Sequence, residues 1–166
     1  MDRVYNKITE TLEANAEAFT RAGLTPPAVV DVFMGQPDVP QDFEFVLPAV
    51  FFDCSADFDG ETLLIDLHVL TDFMEDTENI APDRNRGLYY FRFLNVIKRC
   101  LKGMKTPPVF GPLVPYRETP VRTDFYNYHL LTFRCVMHEE LDDRDARHVN
   151  VDFVKVFENG RLRERP

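Results

Sequence analysis

The chain has 166 residues, 45% of them apolar, with 15 Phe, 6 Tyr, no Trp and a formal net charge of −9. That length suits one domain built around one sizeable core, and the apolar content excludes global disorder. The acidic balance, with no basic stripe of useful length, argues against a nucleic-acid partner held by phosphate neutralisation and against an anionic membrane surface.

Val4, Ile8, Leu12, Ala16 and Phe19 recur at about four-residue spacing between polar residues, which predicts an amphipathic helix ended by Gly23. Pro26 and Pro27 then force an extended path into a first strand over 28–35. The breakers Pro37 and Pro40 mark a loop, and 45–54 reads as a second strand that is an edge at Pro48 or begins after it. Asp59-Gly60 lies between two apolar runs and predicts a hairpin into a third strand over 61–73. There Ile65, Leu67 and Val69 alternate with Asp66 and His68, giving one dry face and one wetter face.

Residues 75–85 are acidic and read as an exposed loop, with Asp83 placed to cap a second helix over 84–102. Lys98, Arg99 and Lys102 fall in its last turns, where cations complement the helix dipole, and Gly103 is placed to end it. Five prolines in 105–120 predict an irregular connection. From 122 to 139 the chain is strand-like again, with Leu131, Phe133, Cys135 and Met137 sharing one face. A charged loop over 139–147 precedes a last strand over 148–157, and Asn159-Gly160 closes it before a polar tail.

Strands joined by hairpins, with helices set apart from them, predict an α+β fold: a largely antiparallel mixed sheet of about five strands with two helices packed on one face. One domain accounts for 1–140, and 141–166 (charged loop, extra strand and tail) belongs to it as an extension. Cys54, Cys100 and Cys135 are too sparse and scattered for a disulfide framework and read as free thiols in a reducing compartment. No apolar signal core opens the chain, so it is expected in the cytosol where it is made.

The sequence carries few chemical motifs. Neither phosphate-cradling glycine motif occurs, and the single serine, Ser55, leaves almost no room for a serine nucleophile. Residues 55–66 place Ser55, Asp57, Asp59, Gly60 and Asp66 at calcium-loop positions, but the flanks read as strands, so a hairpin turn accounts for them better. His129, His138 and His148 lack ligand spacing, so no metal or other cofactor is expected. Asp66 and His68 share a strand face and could support general-base work, although alternation on a half-exposed strand gives the same pattern. Tyr116, Phe125, Tyr126 and Tyr128, interleaved with Arg117 and Arg122, are the residue types enriched at protein interfaces. They form the candidate subunit interface, against the alternative of a loop whose aromatics fold back over the core.

Several phrases, in this order of elements, resemble bacteriophage tail terminator (tail completion) proteins and their prophage relatives. They are the helix VYNKITETL, the strand phrases LPAVFFD and TLLIDLHVLTD, the helix YYFRFLNVIKRCLKG, and the late strand FYNYHLLTFRCVMHE. Together they span most of residues 4–139. The resemblance implies a small non-enzymatic subunit that forms a ring, commonly of six copies, on the end of the tail tube. Such a ring stops tube polymerisation and meets the head-completion proteins, first in the cytoplasm of a bacterial host and then in the virion tail. A ring of heterologous contacts needs two complementary patches per subunit, and the acidic loops 75–85 and 139–147 could face the basic aromatic stretch 116–128. Two other readings stand beside it: a small enzyme or ligand-binding domain with a pocket near Asp66 and His68, and a head–tail connector or neck subunit.

Overall fold

The computed structural model of the protein describes residues 2–38, 44–72, 88–105 and 110–137, with the backbone of Val154–Glu158 and Arg161–Arg165. Helix α1, Asp2–Ala14, buries Val4, Ile8 and Leu12, the spacing that predicted it. The expected single helix is two: at Asn15 the backbone leaves helical geometry, and the Asn15 side chain donates to Thr11 O at 2.8 Å. Asn favours this local competition with the helix ladder. A short α2, Ala16–Arg21, continues and buries Phe19. It ends as expected at Gly23, whose φ of 72° lets its N–H reach Thr20 O while Leu24 N–H reaches Phe19 O. Leu24 is buried beyond that double bond, the usual apolar lock of such a terminus.

Five strands form one sheet in the order β1-β2-β3-β5-β4: β1 Val29–Val32, β2 Ala49–Asp57, β3 Thr62–Thr71, β4 Val114–Val121 and β5 Asn127–Val136. β1 runs parallel to β2 and the other pairings are antiparallel, so the expected mixed, largely antiparallel α+β sheet is present. β2 begins directly after Pro48, which lacks the N–H an inner strand needs. The β2–β3 hairpin turns over residues 58–61, where Asp57 Oδ1 accepts the Gly60 N–H at 3.1 Å.

Helix α3, Tyr89–Leu101, buries Phe93, Leu94, Val96, Ile97 and Leu101. The proposed cap Asp83 and residues 84–87 lie outside the described residues. At its end Gly103 takes φ 81° and donates to Leu113 O at 2.8 Å, tying the helix to the approach of β4. Val4, Ile8 and Leu12 of α1 and Phe93 and Ile97 of α3 meet Val50, Phe52, Leu63, Ile65, Leu67, Leu131 and Phe133 in one core. These sheet residues share one face by strand alternation, which places both long helices on the same side.

Two expectations are corrected. Residues 105–120 are not wholly irregular, because Val114–Val121 forms β4 at the sheet edge, with a register shift between Pro115 and Arg117. Pro115 and Pro120 leave two positions of that edge without an N–H, so β4 keeps its inner ladder while offering an added strand a broken one. The polar tail is also a strand: β7, Arg161–Arg165, pairs antiparallel with β6, Val154–Glu158, as a separate two-stranded sheet. The rest of the expected strand over 148–157 lies outside the described residues. Among the described residues, no helix is long and apolar enough to cross a membrane.

Candidate functional site

The sheet face opposite the helices divides into two halves. Cross-strand neighbours on it run Phe51–His68–Leu130–Thr119, then Asp53–Asp66–Thr132–Arg117, then Ser55–Leu64–Arg134–Val114. Phe51 is buried, whereas Asp53, Ser55 and Asp57 further along the same strand are exposed. The difference comes from the segment after β1, which folds back over the first half.

That segment is held at several points. Phe33 N–H donates to Phe52 O at 2.8 Å, Gln36 Nε2 donates to Val32 O at 2.8 Å, and the Tyr126 hydroxyl donates to Pro37 O. Phe45 meets Phe51 edge-on at 5.2 Å, and Leu47 packs into the same small second core with Ala49, Leu70, Tyr126 and Tyr128. The sequence pattern places Asp66 and His68 on one face, and they are there, but the segment covers His68. The Phe33 ring lies flat on the imidazole of His68, a residue only 8% exposed.

His68 Nδ1 is bonded to the Tyr128 hydroxyl, while Nε2 is buried, without a hydrogen-bond partner, and 4.0 Å from Asp53 Oδ2. Burial holds the His68 pKa below the ordinary histidine value, opposed by the nearby Asp53 and Asp66 charges. Burial likewise raises the Asp53 pKa and pushes Tyr128 up to about 12. Asp66 accepts the Thr132 hydroxyl. A neutral imidazole is chemically able to act as a base, but with Nε2 shut from solvent a substrate reaches it only if Phe33 lifts away. The free thiols offer no better nucleophile: burial, with Asp53 beside it, pushes Cys54 up to about 11, and burial raises Cys100 and Cys135. Among the described residues no group of three or more His, Cys, Asp or Glu is placed to hold a metal ion.

The candidate interface residues separate. Tyr116 and Phe125 are 56% and 59% exposed, and Arg117 and Arg122 are exposed with them. Tyr126 and Tyr128 are buried in the second core, so they clamp the covering segment and present little surface. On the uncovered half of the face, Arg134 lies over the Tyr116 ring at 5.2 Å, flanked by exposed Val114 and Val136. The acidic loops 75–85 and 139–147 lie outside the described residues.

Sequence reasoning passed over two further features. Lys98, Arg99 and Lys102 complement the α3 dipole as expected, but with Arg92 they also line a groove of about 530 Å³. Phe58 at the β2–β3 turn, read only as part of a hairpin, is 82% exposed. A comparison with protein-family models gives no match for this chain, and a comparison with curated proteins gives none.

Proposed function

We propose that the chain is a structural subunit of a phage or prophage virion that caps the tail tube, ends its polymerisation and helps join tail to head. Its partners on this reading are copies of itself, the tail tube protein and head-completion proteins, and it uses no cofactor. The supporting sequence pattern is the order of helix and strand phrases across residues 4–139. The observation that carries the assembly reading is the uncovered half of the sheet face, where Val114, Tyr116 and Val136 stand 46%, 56% and 54% exposed around Arg134. An apolar and aromatic surface with an arginine at its centre, beside an exposed edge strand, suits burial against another protein. Chemistry at Asp66 and His68 has less support, since the Phe33 ring occupies the place a ligand would need.

The experiment is polymerisation of the cognate tail tube protein in the presence of the purified chain, followed by light scattering. Substoichiometric chain is expected to halt elongation by occupying tube ends. Elongation that proceeds at the same rate to the same length contradicts the proposal.

A further inference from the structure

The β2–β3 turn is a built projection. Phe58 stands at its tip, 82% exposed, between Asp57, Asp59 and Glu61, all of them exposed acids. Its shape is fixed from within: Asp57 Oδ1 accepts the Gly60 N–H, the Thr62 hydroxyl donates to Gly60 O at 2.9 Å, and Met137 N–H donates to Glu61 O at 2.7 Å. A Cβ on Gly60 would stand 2.6 Å from Asp57 Oδ2, so glycine is what lets the aspartate close the turn. A large aromatic held on a rigid loop loses little entropy when it is buried.

The α3 groove has the opposite character. Arg92, Lys98, Arg99 and Lys102 line it, with apolar surface from Ala22 and Pro115. Lys98 is steadied there by Glu118 Oε2 at 2.7 Å. In a chain of net charge −9, this is a local concentration of cations beside an apolar surface. The exposure of Phe58 means that the projection is not seated in its own subunit's groove.

We infer that the Phe58 turn of one copy of this chain docks into the α3 groove of a second copy, the aromatic ring on the apolar surface and the three acids among the groove's cations. Projection and groove are different patches, so the contact is head-to-tail and a closed rotation of it produces a ring. Charge complementarity sets the register and speeds encounter, while the ring supplies the apolar burial. This contact rests on the assembly reading above and adds to it a second surface, distinct from the sheet face around Arg134.

Charge exchange tests it, with mass read by sedimentation velocity of the full chain and folding checked by circular dichroism. One variant carries Asp59→Lys and Glu61→Lys, the other Arg99→Glu and Lys102→Glu. Each alone sets like charge against like charge and is expected to self-associate about tenfold more weakly or worse. Mixed one to one, the reversed positions again face opposite charges in every contact, and the mixture is expected to regain the wild-type mass in alternating copies. Phe58→Ser, at an exposed position, is expected to weaken association with an unchanged melting temperature. Variants that associate like wild type, a mixture that does not recover, or a wild-type chain that stays monomeric each overturn this contact. The tube-capping proposal is judged separately by tube elongation, so the two can fail independently.

Discussion

Phe33 lies flat on His68, ring centroids 3.7 Å apart and planes 2° from parallel, and so closes the one strand face that the sequence offers for acid–base chemistry. The stack joins the segment after β1 to the middle of β3, and Tyr128 completes it by bonding His68 Nδ1. Tyr128→Phe leaves that nitrogen buried without its partner, which is expected to cost about 1–3 kcal/mol in urea unfolding. Phe33→Ala removes the cover, and the His68 imidazole, followed by NMR, is then expected to titrate closer to an ordinary histidine. An unchanged titration would show that something other than Phe33 keeps it neutral.

Acid should destabilise the fold through His68 and His129, the buried histidines among the described residues. Burial lowers the pKa of both His68 and His129 below the ordinary histidine value of about 6.5, so the unfolded chain binds protons that the folded chain refuses. Their contribution is complete above pH 6.5 and is lost as pH falls below it toward the folded-state values. Asp53 acts with the opposite sign nearer its own range, since its raised pKa favours the protonated carboxyl in the fold. The urea midpoint is therefore expected to fall between about pH 7 and 5.5, and less steeply in His68→Gln. A midpoint constant across that interval contradicts the burial argument.

Gly103 carries a φ of 81° with nothing within 4 Å of where a Cβ would stand. Gly103→Ala thus costs only backbone strain, about 1–2 kcal/mol, measured as a shift in thermal midpoint. Gly60→Ala meets Asp57 Oδ2 instead, and pairing it with Asp57→Ala should recover much of the loss because the clash partner is gone. Losses that simply add would place the strain elsewhere.

Arg117 and Arg122 are exposed on and just beyond β4, beside exposed Tyr116 and Phe125. Reversal of both to Glu replaces two positive charges with two negative ones in a chain already at −9 and is expected to weaken self-association, read by light scattering, while the melting temperature stays close to wild type. Unchanged assembly would remove this stretch from the interface.

The elements that sequence reading located are those with strong local periodicity. Val4, Ile8 and Leu12, or Ile65, Leu67 and Val69, declare a buried face by spacing alone, and Gly23 and Gly103 stand where helices end. β4 escaped because Pro115 and Pro120 read as breakers, and only its place at the sheet edge makes proline tolerable. The cover over His68 escaped because it depends on Phe33 and Tyr126, remote in sequence from the strand they enclose. Tyr126 and Tyr128 share composition with Tyr116 and Phe125, so residue type could not separate a clamp from a surface. Phe58 was hidden inside a turn signal that its Asp-Gly neighbour dominates.

Tail length tests the central claim most directly. The proposed function places this chain in a phage or prophage, whose virions, made without it, are examined by electron microscopy. The account predicts tubes of excessive and variable length without attached heads, restored to uniform length when the wild-type chain is supplied. Tails of normal, uniform length joined to heads in its absence would contradict it.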